Sequence, residues 1–162
     1  MIKVIRELFS QDECSEAVEY LRKLTLKRDA PKPGLWEIPK TNTTFIPDTC
    51  KDLASVLSSY AKSLDIVIDP SDLRRHALHY LPGNEIPWHS DYRPDNTRRK
   101  VTASVALLGP HPFEYIFHSG IRREKLEAGD VILYPAFLAH RVPPAENEHY
   151  ALAMWYMGPM FG

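Results

Sequence analysis

The chain has 162 residues, of which 44% are hydrophobic and 25% are charged, and its formal net charge is −1. This length and composition predict one folded domain over residues 1–162 and exclude an intrinsically disordered chain. The balanced charge excludes a general electrostatic attraction to nucleic acid or to a membrane surface.

Two amphipathic helices are predicted in the N-terminal part of the chain. The first begins at a capping box, with Ser10 as the N-cap residue and Glu13 three positions later. Its apolar residues recur at helical spacing, namely Cys14, Ala17, Val18, Leu21 and Leu24. The second helix begins near Asp48, and its apolar stripe consists of Leu53, Val56, Leu57, Tyr60 and Leu64. We expect the proline-rich connection between the helices, residues 31–39, to be extended.

After Pro70 the helical periodicity ends, and short apolar runs separated by proline and glycine follow. Such runs indicate β-strands joined by tight connections. The predicted strands cover residues 73–80, 101–108, 113–117, 130–134 and 150–156. Strands at this spacing predict a mainly β fold with flanking helices, either a sandwich or a jelly roll, with both helices packed on one sheet.

Two segments of the β region contain residue types that suit a metal ion. His89 and Asp91 are two positions apart, so their side chains point to the same side of an extended segment. A third candidate, His140, follows the predicted strand that ends at Tyr134. Two imidazoles and one carboxylate can hold Fe(II) and leave its opposite face open for O₂. Because the chain has 7 histidines, the short motif alone is weak evidence for this site.

The order of the motifs along the chain is more specific. They run from Tyr80 and Gly83 to His89 and Asp91, then Arg99 and Thr102, then Gly129 and Asp130 before His140, and finally residues 150–155. In this order and spacing the chain resembles the Fe(II)/2-oxoglutarate-dependent dioxygenases, chiefly the prolyl-hydroxylase-like branch, from about Phe9 to Trp155. The segment from Tyr80 to Asp91 also resembles the AlkB-type nucleic-acid demethylases.

The resemblance implies a double-stranded β-helix in which His89, Asp91 and His140 bind Fe(II). It also implies that 2-oxoglutarate is the co-substrate and is decarboxylated to succinate while O₂ is used to hydroxylate a C–H bond. The favoured substrate is a peptide or protein side chain such as proline. The alternatives are oxidative demethylation or hydroxylation of nucleic-acid bases, and a metal-binding module without catalytic activity.

The chain departs from the family pattern where the distal carboxylate of 2-oxoglutarate is bound. His149 stands at the start of the last strand, where an arginine or lysine is usual, and Ala106 replaces a frequent tyrosine. Tyr80 and Thr102 are predicted to contact the co-substrate, because their hydroxyl groups can donate hydrogen bonds to a carboxylate. His149 is either a further contact to the co-substrate or a surface histidine.

Two other features of the β region have simpler interpretations. His111 and His118 flank the predicted strand over residues 113–117, and we interpret both as surface histidines. The loop after Asp91, residues 92–100, is either a lid over the substrate or a plain hairpin connection.

Cellular location is predicted from what the sequence lacks. Its first residues contain no long apolar run, and no segment is apolar for long enough to cross a bilayer, so we expect neither a signal peptide nor a membrane span. Cys14 and Cys50 are not in a metal-binding spacing, and we interpret both as small hydrophobic residues rather than as a disulfide. We therefore expect a cytoplasmic protein, with no obligate partner evident.

Overall fold

Two antiparallel β-sheets face each other, and two helices cover the outer side of the larger sheet. The computed structural model describes residues 1–26, 35–37, 48–92 and 98–160. The elements in chain order are β1 (Lys3–Ile5), α1 (Gln11–Leu26), β2 (Leu35–Glu37), α2 (Asp48–Ser63), β3 (Leu73–Tyr80), β4 (Ile86–His89), β5 (Arg99–Leu108), β6 (His111–Phe117), β7 (Gly120–Leu126), β8 (Val131–Pro135), β9 (His140–Val142) and β10 (His149–Met157).

Both predicted helices are present, and the predicted capping box is formed. The Glu13 N–H donates to Ser10 Oγ at 3.1 Å, and the Ser10 N–H donates to Glu13 Oε1 at 2.9 Å. Apolar residues of α1 pack against β5, those of α2 pack against β5, β8 and β10, and together they form the main core. Cys14 is buried in this core as a free thiol, as predicted. None of the helices in the described part of the chain is long and apolar enough to span a membrane.

The larger sheet has the strand order β1-β8-β5-β10-β3-β2, and the smaller one has the order β4-β9-β6-β7. All paired strands are antiparallel, and the arrangement is the predicted jelly roll. Each of the five predicted strands is present, with ends shifted by no more than two residues. The proline-rich connection contains β2, and its other residues lie outside the described part of the chain.

Alternation along the central strands determines which side chains face the helices and which face the smaller sheet. On β5, Val101 and Ala103 belong to the core beneath the helices, whereas Thr102 and Ser104 point between the sheets. On β10 the same alternation directs Trp155 between the sheets. The space between the sheets is therefore lined partly by polar residues of the larger sheet.

The Gly129–Asp130 pair connects the N-terminal segment to the sheet. Gly129 has φ +98°, and its N–H and C=O bond to Ala106 (2.8 Å) and Phe9 (3.2 Å). The buried Asp130 carboxylate accepts hydrogen bonds from the Arg6 side chain and from two backbone N–H groups. These contacts hold the N-terminal segment next to β8, so this part of the sequence motif has a structural role.

Candidate active site

A cavity of about 630 Å³ lies between the two sheets. Strands β3, β4, β5, β6, β8, β9 and β10 all contribute side chains to its wall. A volume of several hundred cubic ångströms is typical of sites that bind small molecules. All three predicted metal ligands line this cavity.

His89, Asp91 and His140 converge on one point of the cavity wall. The structure pairs His89, at the end of β4, with His140, at the start of β9. Asp91 Oδ1 lies 3.5 Å from Nε2 of His89 and 3.7 Å from Nε2 of His140. One ligand atom of each residue lies within 4.8 Å of the others, so a single ion can contact all three.

Hydrogen bonds fix the orientation of each of the three side chains. Nδ1 of His89 lies 2.8 Å from the Pro87 carbonyl oxygen, and Nδ1 of His140 lies 2.9 Å from that of Leu138. Because a carbonyl oxygen only accepts, each Nδ1 donates, and a neutral imidazole then presents the lone pair of Nε2. Asp91 Oδ2 accepts a hydrogen bond from Thr102 Oγ1 at 2.8 Å, which leaves Oδ1 directed toward the histidines.

The surroundings favour the protonation states that a divalent cation requires. Burial raises the pKa of Asp91, but His89, His140 and the hydrogen bond from Thr102 outweigh it, so the pKa lies below its ordinary value. Burial lowers the pKa of His140 despite the attraction of Asp91. An ionised carboxylate and neutral imidazoles are the forms that bind metal. The donor set fits Fe(II) in a site with open coordination positions.

The residues predicted to contact the co-substrate occupy two different environments. Tyr80 and Thr102 both line the cavity. His149 is only 2% exposed, which excludes a surface histidine, but it is not among the lining residues. Its ring stacks on that of Tyr80, with centroids 4.2 Å apart. A contact between His149 and the co-substrate stays a prediction. Because His149 does not line the cavity, it would act on the co-substrate through a neighbouring side chain that does, such as Tyr80.

The interpretation of His111 as a surface residue is wrong, whereas His118 is exposed as predicted. His111 is 1% exposed and lines the cavity, and its Nδ1 lies 3.1 Å from Nδ1 of His149. The reason is that β6 begins at His111 rather than at Phe113. Alternation then turns His111 to the same inward face as Phe113 and Tyr115, and this pattern was the available signal.

Tyr134 is a site residue that the sequence motifs did not single out. It is 3% exposed and lines the cavity, and its hydroxyl oxygen lies 3.4 Å from Nε2 of His140. Alternation with Ile132 on β8 places both side chains on the inward face, where they pack in one cluster. The hydroxyl group of Tyr134 is therefore beside the candidate metal position.

Aromatic and cationic side chains form the part of the cavity wall near β3 and β10. His76 and Trp155 pack edge to face with ring centroids 4.5 Å apart, and the Arg99 guanidinium lies 4.3 Å from the centre of the Trp155 ring. Tyr92, directly after the ligand segment, also lines the cavity. Residues 93–97 of the following loop lie outside the described part of the chain, so a lid there stays a prediction.

No protein-family profile matches the sequence, but solved structures share its fold. A prolyl-4-hydroxylase from Pseudomonas putida is 18% identical, with 98% of this chain and 92% of that chain covered and a TM-score of 0.74. A prolyl hydroxylase from Trichoplax adhaerens, in complex with a hypoxia inducible factor oxygen degradation domain peptide fragment, is 16% identical (97% and 83% covered, TM-score 0.73).

HygX from Streptomyces hygroscopicus, with nickel and 2-oxoglutarate bound, is 17% identical, with 99% of this chain and 83% of that chain covered and a TM-score of 0.68. These similarities extend over nearly the whole chain, and they agree with the motifs in the sequence. The chain therefore has the double-stranded β-helix fold of the prolyl hydroxylases and related 2-oxoglutarate-binding proteins.

Proposed function

We propose that this protein is an Fe(II)- and 2-oxoglutarate-dependent dioxygenase that hydroxylates a C–H bond of a peptide or protein side chain such as proline. The observation that carries the proposal is the convergence of His89, Asp91 and His140 on one point inside a cavity of this fold. The metal and 2-oxoglutarate in HygX support the choice of cofactors.

In the proposed enzyme, His89, Asp91 and His140 hold the metal, and the surrounding hydrogen bonds keep their donor atoms pointed at it. When bound, the ferrous ion would supply the means of activating O₂: one oxygen atom would enter succinate as 2-oxoglutarate loses CO₂, and the other would enter the C–H bond of the substrate. The protein positions the co-substrate and limits the access of water to the reacting groups. The Phe113 ring contributes to this exclusion, because it stacks on His140 with ring centroids 5.2 Å apart.

A peptide is the substrate class that the observations support best. The prolyl hydroxylase from Trichoplax adhaerens has a peptide bound, which favours a peptide for this chain under the shared fold. The net charge of −1 favours no polyanionic substrate, so oxidation of nucleic acid ranks second. Succinate formation from 2-oxoglutarate in the presence of Fe(II) and O₂ should rise with proline-rich peptides. Stimulation by methylated oligonucleotides alone would favour the second candidate.

An anaerobic titration tests the metal site and the co-substrate together. Fe(II) followed by 2-oxoglutarate should produce a weak visible charge-transfer band in the parent protein. His140→Ala should produce no band, because only two of the three ligands remain, whereas His118→Asn, at an exposed histidine, should behave like the parent. Failure of the parent protein to bind Fe(II) would contradict the proposed function.

A further inference from the structure

Three buried polar atoms belong to side chains whose rings are in mutual contact, with centroids 4.2 to 5.6 Å apart. They are Tyr80 Oη, His111 Nε2 and His149 Nε2, and none has a hydrogen-bond partner among the described residues. The three residues are at most 3% exposed. A buried polar atom without a partner costs free energy, and Tyr80 and His111 line the cavity, which indicates a polar ligand at this part of its wall.

The position of the cluster suits the far end of a short dicarboxylate. Phe113 stacks on the metal-site residue His140, and His111 lies two residues before Phe113 on the same face of β6. Same-face neighbours on a strand are about 7 Å apart. His111 is therefore one such step along β6 from the residue that stacks on a metal ligand, which is within the reach of a five-carbon keto diacid whose keto end is at the metal. Tyr80 reaches the cluster from β3, opposite His149 on β10.

A hydrogen bond joins the rings of His111 and His149. Their Nδ1 atoms are 3.1 Å apart, so one Nδ1 must donate and the other must accept. One additional proton places hydrogen on Nδ1 and Nε2 of His111, while His149 Nδ1 accepts. His111 Nε2 then becomes a charged donor on the cavity wall, and His149 stabilises the charge.

Without a ligand the pair is neutral. Burial, and to a smaller extent the neighbouring His149, lowers the pKa of His111 to about 3, and burial and His79 lower the pKa of His149 to about 4. Among the described residues, Tyr80 on β3 faces the pair, and β7 presents Leu126 to His111. His79 stacks on Tyr150 at the other face of β3 and affects His149 through its charge. The nearest acid in sequence, Glu148, instead pairs with Arg22 at 3.1 Å.

We propose that Tyr80 and His111 bind the distal carboxylate of 2-oxoglutarate, and that the His111–His149 pair takes up one proton from solvent when this carboxylate binds. The inference rests on the proposed function and deepens it. The resembled family usually has an arginine or lysine, a permanent cation, at the position of His149. Here the histidine pair would acquire its positive charge only on binding, because a buried carboxylate raises the pKa of an adjacent imidazole. The proton comes from water and remains on the pair while the co-substrate is bound.

Calorimetry measures this proton directly. Anaerobic Fe(II)-loaded protein is titrated at a pH of about 6 in buffers of different ionisation enthalpy, once with 2-oxoglutarate and once with 2-oxovalerate. The two keto acids have the same chain length and the same metal-binding end, but 2-oxovalerate has a methyl group in place of the distal carboxylate. We expect the protein to take up about one more proton per molecule when it binds 2-oxoglutarate than when it binds 2-oxovalerate.

Three variants test whether the additional proton uptake depends on the His111–His149 pair. His111→Asn should abolish the difference between the two keto acids, and His118→Asn, the exposed control, should retain it. His149→Arg supplies a permanent cation at the same strand position. This variant should bind 2-oxoglutarate with no extra proton, and it tests the inference if His111→Asn does not fold.

The outcomes separate this inference from the proposed function. Equal proton uptake for both keto acids, or an undiminished difference in His111→Asn, overturns the inference and leaves the oxygenase assignment intact. If neither keto acid binds to the Fe(II)-loaded protein, the proposed function itself is wrong.

Discussion

Thr102 determines which oxygen of Asp91 is available to a metal. Its hydroxyl group donates to Oδ2 at 2.8 Å, and both residues are more than nine-tenths buried. Removing the hydroxyl group would leave a buried carboxylate oxygen without its partner and free the side chain to rotate. The alternation of β5 is what directs Thr102 inward, so this single residue couples the larger sheet to the ligand segment that follows β4.

We therefore expect Thr102→Val to weaken Fe(II) binding by about 10- to 100-fold, the range typical for loss of a group that orients a metal ligand. Competition with a chelator of known affinity measures the change. Thr102→Ser keeps the hydroxyl group and should remain within a few-fold of the parent. Equal affinities in the valine variant and the parent would show that Asp91 is oriented by other contacts.

At the scale of elements, Gly129 shows how one turn joins the N-terminal segment to the sheets. Its backbone contacts both Phe9 and Ala106, and its φ of +98° is a conformation that residues with a Cβ atom rarely adopt. A Cβ atom at this position would also overlap the backbone of Phe9. The turn has no room for any other residue type.

Gly129→Ala should lower the free energy of unfolding by about 2 kcal/mol or more, through backbone strain together with the overlap. Urea unfolding followed by circular dichroism measures this loss. Gly120→Ala is the matched control, because Gly120 has open space around its Cβ position, and we expect a change within about 0.5 kcal/mol. Similar losses in the two variants would refute the argument from φ and close approach.

The same scale shows what could be predicted from the sequence. Strands β5 and β10 are rich in apolar residues, and β3 follows the end of the helical periodicity, so the sequence places all three to within two residues. Strands β4 and β9, which carry the two histidine ligands, have only four and three residues, too few for an alternating pattern. Strand β7 escaped prediction because four consecutive charged residues, 122–125, leave it almost without apolar alternation.

The candidate site was also predicted only in part from the sequence. Family motifs located His89, Asp91, His140, Tyr80 and Thr102, all of which line the cavity. Such motifs could not show that β6 begins two residues before Phe113, and the burial of His111 depends on that start. Contacts between distant strands, such as that between the two Nδ1 atoms of the histidine pair, have no local signal in the sequence.

For the whole molecule, buried histidines make stability depend on pH. His111 and His149 have pKa values of about 3 and about 4 in the folded protein, below the 6.5 expected when unfolded. The unfolded chain therefore binds more protons once the pH falls below about 6.5. The stabilisation is complete above that pH and is lost as the pH falls toward the folded-state values.

We expect the free energy of unfolding of the metal-free protein to fall between a pH of about 6.5 and about 4. Each of the two histidines contributes a slope of up to about 1.4 kcal/mol per pH unit. Urea titrations across this range, on the parent and on His111→Asn, isolate the share of one histidine. The variant should have the shallower slope, and identical slopes would mean that His111 is not neutral in the folded state.

The pairing of His89 with His140 would make a bound metal ion a cross-link. An ion at this position would join two segments that are roughly fifty residues apart in the chain, at a corner of the smaller sheet where both strands are short. Because the complete ligand set exists only in the folded chain, each tenfold rise in free ferrous ion above its dissociation constant would add about 1.4 kcal/mol of stability. The free energy of unfolding would then depend on the concentration of free ferrous ion.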